Sequence, residues 1–354
     1  MTADRRARLV AALGERGLDG AIVTTLVNVR YLTGFTGSNG ALLVPREGAA
    51  VFFTDGRYRD QAGEELPDVE HVIGRDLMAA IADRVHEGVW GVETHALSVD
   101  DHARLAELVS GASLVTLDRA VEELRVVKDE VEIGHLRSAC EISTFALAGL
   151  LEGPLVGRTE REVARDLENR MFDLGAEAIA FETILAAGEN SAIPHHSPTD
   201  RMLQSGDLMK ADFGARVAGY HADCTRTVVL GRADDWQREV YAAVKESQAA
   251  GLDLLRDGAP IADSDVAARA SLEASGWLEA FTTGLGHGVG LEIHEDPFIA
   301  ARNTGKLVSR TVLTMEPGIY VPGRGGVRIE DTAIVTSGAP EVLTTMTKDL
   351  MEIG

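Results

Sequence analysis

The chain has 354 residues, enough for two domains, and 45% of them are hydrophobic, ample for a large core. Its formal charge of −22 is spread along the chain, which excludes nucleic acid and membrane as expected partners, since both call for basic patches. Two cysteines, Cys140 and Cys224, are too few for a disulfide framework, and no run approaches ~18 apolar residues, so a soluble, cytoplasmic protein is expected.

In chain order, residues 4–16 place Leu9, Val10 and Leu13 among arginines at the spacing of a half-buried helix, closed by Gly17. Strands are expected at 21–23, 41–44 and 51–53. Helices at 57–66, 76–87 and 99–109 then alternate with strands at 69–73, 89–92 and 114–117. Such alternation predicts an α/β layer domain over 1–122, and no cluster of catalytic residue types falls within it. Its Gly/Ser/Thr-rich stretch at 31–40 reads as a turn.

From 123 onward longer helical patterns take over. They are expected at 129–151 and 160–174, the second opened by Thr159 and Glu162 in capping-box spacing. Strands at 179–186, 207–213 and 224–230 precede helices at 235–256 and 263–275 and strands at 311–320 and 327–336. Helix pairs followed by strand pairs, at 129–230 and again at 235–336, suggest an α+β domain over 123–354 made of a duplicated half.

Residues 284–297 organise the chain. Gly284, Gly286, Gly288 and Gly290 surround His287, with His294 seven residues on, a glycine density that reads as a turn against a ligand rather than a regular strand. Four carboxylates, Asp212, Asp223, Glu316 and Glu330, lie in or beside apolar strand-like runs, where an unpartnered charge is costly. No comparable set of buried bases accompanies them, so a metal is the expected shared partner. Two divalent cations would neutralise the four negative charges, and an oxygen-rich donor set with one imidazole suits Mn²⁺, with Co²⁺ or Zn²⁺ as alternatives. A metal pair of this kind polarises a carbonyl and activates water, which is hydrolysis chemistry.

These five residues sit in the words Lys210-Ala211-Asp212-Phe213-Gly214, Ala222-Asp223-Cys224-Thr225-Arg226-Thr227, Gly286-His287-Gly288, Met315-Glu316-Pro317-Gly318 and Arg328-Ile329-Glu330-Asp331. In that order they resemble the pita-bread metallopeptidases, in the branch of the Xaa-Pro aminopeptidases and Xaa-Pro dipeptidases (prolidases). The phrase Asn28-Val29-Arg30-Tyr31-Leu32-Thr33-Gly34-Phe35-Thr36-Gly37-Ser38 is similar to their creatinase-like N-terminal domain. The resemblance implies that Asp212 binds one metal, that Asp223 and Glu330 bridge both, and that His287 and Glu316 complete the other. It further implies Glu316 as general base on the attacking water and His294 as a hydrogen-bond donor to the scissile carbonyl. His195 would hold the substrate and manage protons near the leaving nitrogen. Arg328 would support the ligands or bind a substrate carboxylate, with Thr225 and Tyr320 orienting ligands.

The leading expectation is removal of an N-terminal residue that precedes proline from short peptides, by a homodimer or homotetramer. The alternative is a dipeptidase restricted to Xaa-Pro, and a remote one is a non-catalytic binding module of the same fold. Of the remaining residues, His196 is expected as a bystander, His221 as solvent-facing and Cys224 as core. Lys210 has no evident role.

Overall fold

The computed structural model describes residues 2–354 and divides between Arg125 and Val126 into two compact units, each taken here by itself. The first begins with α1 (Thr2–Glu15), β1 (Gly20–Val23), α2 (Leu26–Thr33), β2 (Ala41–Pro45) and β3 (Val51–Thr54). It continues with α3 (Arg59–Glu65), β4 (Glu70–Ile73), α4 (Leu77–Ala82), β5 (Gly88–Val92), α5 (Val99–Leu108), β6 (Ala112–Thr116) and α6 (Ala120–Val126). The strands form one sheet in the order β4-β3-β2-β1-β5-β6, with β1 antiparallel to β2 and parallel to β5. Ile22, Leu43, Phe53 and Val92 fill its core.

Helix α2 occupies the start of the stretch expected as a turn. It is eight residues long and its N-cap, Thr25, makes no side-chain cap bond, so no local signal announces it. Tertiary contacts hold it instead: Val29, Tyr31 and Leu32 are buried, and Asn28 Nδ2 donates to Glu93 Oε1 at 2.6 Å and Glu122 Oε1 at 2.7 Å. Gly34, at φ 92°, ends the helix in the left-handed conformation that glycine adopts without a Cβ penalty.

The second unit starts with α7 (Glu130–Leu151), α8 (Glu160–Asp173), β7 (Ala178–Ile179), β8 (Ile184–Ala187), β9 (Leu208–Phe213), β10 (Ala215–Val217), β11 (Tyr220–His221) and β12 (Cys224–Leu230). After α9 (Asp235–Leu252) and α10 (Ile261–Ala274) come β13 (Gly286–Gly288), β14 (Glu295–Ile299), β15 (Val312–Met315) and β16 (Gly318–Val321). The last strands are β17 (Gly325–Arg328), β18 (Asp331–Ile334), β19 (Glu341–Val342) and β20 (Glu352–Ile353). The capping box at Thr159 and Glu162 is present.

The expected duplication is visible in the packing. Helices α7 and α8 bury Leu147, Val163 and Leu167 against Ala211, Phe213 and Val228 of the sheet β20-β12-β9-β8. Helices α9 and α10 bury Val240, Val244 and Leu272 against Leu313, Met315 and Ala333 of the sheet β14-β13-β15-β18-β19.

Two long expected strands are each interrupted. Glu316-Pro317 separates β15 from β16, and Ile329-Glu330 separates β17 from β18. Beyond each break the chain changes partner, β15 pairing with β18 and β16 with β17. Pro317 cannot donate to a ladder, but the apolar residues continue across both breaks, so periodicity does not reveal them. The run expected as one strand at 179–186 is likewise split, into β7 and β8.

Candidate metal centre

Five chain segments converge here. Asp212 is the penultimate residue of β9, opposite Thr225 of β12, and Asp223 immediately precedes β12. His287 is the middle residue of β13, Glu316 follows β15 and Glu330 precedes β18. Alternation along β9 sends Met209, Ala211 and Phe213 into the helix-packed core, leaving Lys210 and Asp212 on the other face. At the two breaks, the Glu316 amide donates to Leu285 O at 2.8 Å and the Glu330 amide to Thr225 O at 3.1 Å, which fixes both backbones.

The glycines act differently from expectation. Gly286 and Gly288 form a strand, and none of Gly284, Gly286, Gly288 and Gly290 has a positive φ. Close approach is what requires them. A Cβ on Gly286 would lie 2.1 Å from Thr314 O, and one on Gly288 2.4 Å from Asp296 O. Bare backbone lets β13 sit deep enough to aim His287 at the carboxylates.

All five residues line one cavity of about 550 Å³, together with His195 and His294. Asp223, His287 and Glu330 each offer a ligand atom within 4.8 Å of the others'. His287 Nε2 lies 3.5 Å from Asp223 Oδ2 and 3.4 Å from Glu316 Oε1. Its Nδ1 lies 2.9 Å from Gly288 O, a carbonyl that can only accept, so Nδ1 carries the proton. In the neutral ring, Nε2 then turns a lone pair toward carboxylate oxygens.

Two further observations fit a cation pair. Asp212 Oδ1 and Glu330 Oε1 are buried with no hydrogen-bond donor, an arrangement that costs stability unless another partner arrives. Burial, then the charges of Glu330, Asp212 and Glu316, pushes the Asp223 carboxyl well above the usual carboxylate range. Burial, Glu316 and Asp212 do the same to Glu330. Glu316 goes the other way: burial pulls it up, but the hydrogen bond and charge of His287, with Arg328 and His294, leave it below its ordinary value.

Around the carboxylates, Thr225 Oγ1 donates to Glu330 Oε2 at 2.7 Å and accepts from Arg328 Nε at 3.1 Å. Arg328 is ion-paired with Asp212 and donates to Tyr320 Oη at 2.8 Å and Pro194 O at 3.2 Å. It is buried behind the carboxylates and is not among the cavity-lining residues. The expectation that Arg328 binds substrate is therefore corrected: its guanidinium is committed to holding Asp212 and its neighbours.

His294 packs edge-on against His287 with ring centroids 4.4 Å apart, and burial followed by the His287 charge lowers its pKa. His195 lies exposed at the cavity. Its neighbour His196 points away, buried, with Nε2 2.8 Å from Glu160 Oε2. His221 is not solvent-facing: it is buried, with Nδ1 3.0 Å from Gly290 O, because the loop after β13 covers it. Cys224 belongs to the core of the first half.

Sequence reasoning missed the Arg226–Asp331 ion pair, fully buried at 2.7 Å, in which Arg226 Nη1 also donates to Glu330 O. The signal available was an arginine inside the apolar strand 224–230 and an aspartate adjoining Glu330.

Residues 134–337 match the metallopeptidase family M24, and residues 5–127 match the creatinase/prolidase N-terminal domain. The Xaa-Pro dipeptidase of Pyrococcus furiosus is 33% identical over 98% of this chain and 99% of its own length. Among solved structures, an Xaa-Pro dipeptidase from Bacillus anthracis matches with a TM-score of 0.95 at 34% identity, covering both chains fully (100% each). An X-Pro aminopeptidase from Thermotoga maritima matches with a TM-score of 0.91 at 33% identity, over 98% of this chain and 99% of that one. A creatinase-like first unit precedes a catalytic unit of the pita-bread fold, and the chain belongs to the metallopeptidase family M24.

Proposed function

We propose that this chain hydrolyses the peptide bond between an N-terminal residue and a following proline. The observation that carries the reading is the convergence of four carboxylates and His287 on one cavity, two of whose buried carboxylate oxygens lack any donor. The similarity to enzymes named Xaa-Pro dipeptidase and X-Pro aminopeptidase supports the substrate class. In this reading Asp212 would hold one cation and His287 and Glu316 the other, with Asp223 and Glu330 serving both. Manganese suits this oxygen-rich donor set.

When bound, the ion pair supplies Lewis-acid polarisation of the scissile carbonyl and a water acidic enough to attack at neutral pH. The side chains do the rest. Glu316, at the edge of the cavity beside His287, accepts the proton of the attacking water. His294, kept neutral by burial, donates a hydrogen bond to the carbonyl oxygen as negative charge builds there. His195 holds the substrate and passes a proton to the proline nitrogen, which has no hydrogen of its own in the peptide and must gain one to leave.

The relatives do not favour the expected aminopeptidase over a dipeptidase, since both names occur among them. One observation supports longer substrates. The residues lining the cavity include histidines and threonines but no lysine or arginine, so the free carboxylate of an Xaa-Pro dipeptide would meet no permanent cation among them. Turnover of Ala-Pro and Ala-Pro-Ala with Mn²⁺, and then with chelator, tests the proposal. Cleavage of both, lost on chelation, is expected. Cleavage of Ala-Pro alone would make this a dipeptidase, and cleavage of neither with metal bound would overturn the function. A cytoplasmic homodimer or homotetramer completes the reading, and light scattering would measure the assembly.

A further inference from the structure

The chain between β8 and β9 carries His195, yet its only regular element is a short 3₁₀ turn at Gly188–Ala192. Two buried side chains, Glu160 and Lys210, hold it. From α8, the fully buried Glu160 accepts from the amides of Ala187 (2.8 Å) and Thr199 (3.0 Å) and the Thr199 hydroxyl (2.6 Å). Its carboxylate also meets Asn190 Nδ2 at 3.0 Å and His196 Nε2 at 2.8 Å. From β9, Lys210 Nζ donates to the carbonyls of Ser191 (3.2 Å), Ile193 (2.6 Å) and Pro194 (3.2 Å).

We infer that Lys210 is a positioning residue for His195: it grips, by three carbonyls, the segment that presents this imidazole to the cavity. The amino group of this fully buried side chain is a donor set enclosed by the three carbonyls. A side chain without donors would take this partner from Ser191, Ile193 and Pro194, of which, among the described residues, Pro194 O alone keeps a second donor, Arg328 Nη1 at 3.2 Å. The lysine stands two residues before Asp212 on the same face of β9, so one strand sets both a carboxylate of the centre and the histidine loop beside it. The ring of Tyr320, with its centroid 5.1 Å from Nζ, adds a further contact.

The inference rests on the reading of His195 as a substrate contact, and a double-mutant cycle in the Mn²⁺-loaded enzyme separates the two. Lys210→Met should leave bound metal unchanged and lower kcat/KM for Ala-Pro on the order of 10–100-fold. In a His195→Ala background the same change should cost less than about twofold. Amide exchange at 191–196 should be faster in Lys210→Met. Equal losses in both backgrounds, or unchanged exchange, would overturn the inference. A His195→Ala enzyme with undiminished kcat/KM would instead remove the reading of His195, while the exchange measurement would still report on the grip. If Lys210→Met does not fold, Lys210→Gln, which keeps part of the donor set, carries the same cycle.

Discussion

The Thr225 hydroxyl donates to Glu330 Oε2 at 2.7 Å, which leaves Oε1 as the free, buried face of that carboxylate. Thr225 thus decides which oxygen faces the centre. Thr225→Val keeps the shape and removes the bond, so metal affinity is expected to fall about 10–100-fold, as is usual for loss of a group that orients a ligand. Metal titration of the folded variant checks this, and unchanged affinity would show that Glu330 is oriented by its backbone alone.

The metal-free protein should lose stability as pH rises. The Asp223 and Glu330 carboxyls, raised by burial and by their acidic neighbours, hold protons that the unfolded chain has released above about pH 4. Folding stability therefore declines as pH climbs from there toward the raised values. Glu316, lowered chiefly through His287 and Arg328, contributes the opposite slope and is outnumbered. In metal-free protein, Asp223→Asn should raise Tm at pH 8 relative to wild type and flatten the decline. A variant with the wild-type slope would refute this. In the presence of Mn²⁺ the same substitution should lower Tm, because a cation bound only to the folded state stabilises it.

His294→Ala separates catalysis from binding of metal. Its ring packs on His287 but is not part of the group of ligand atoms within 4.8 Å of one another, formed by Asp223, His287 and Glu330. Metal content should be unchanged and kcat should fall by about 10²–10³, the usual cost of a lost donor to a developing oxyanion. Loss of metal would make it a ligand instead.

Gly288→Ala tests why β13 is bare. The added methyl would lie 2.4 Å from Asp296 O and 2.7 Å from Glu295 O, both backbone atoms that cannot swing away. The strand must shift and carry His287 with it. A destabilisation of about 1–3 kcal/mol is expected, with weaker metal binding. Thermal unfolding and metal titration read both, and a neutral result would show that the β13–β14 pair is slack.

The alternation of strands and helices in the first unit and the helix pairs of the second were legible from periodicity, because their buried faces repeat at the periods of the elements. Four residues of the centre were legible for a different reason, that acidic residues inside apolar runs need a partner, and His287 through the glycines around it. The strand breaks at Glu316-Pro317 and Ile329-Glu330 were hidden, since apolar residues lie on both sides of each. Helix α2 was hidden too, being held by Glu93 and Glu122, distant in sequence from Asn28. The burial of Arg328 and the work of Lys210 depend on which carbonyls the loop brings to them. Side-chain spacing holds no record of that.

Of the five residues, Asp212 and Asp223 come from the half packed by α7 and α8, whereas His287, Glu316 and Glu330 come from the half packed by α9 and α10. Neither half carries a complete donor set. Cations at this seam would act as a rivet beside the buried Arg226–Asp331 pair, which joins the same two halves, so removing them should loosen one of two fastenings. Chelation is then expected to lower Tm while unfolding stays a single transition, since the halves remain tied through Arg226 and Asp331.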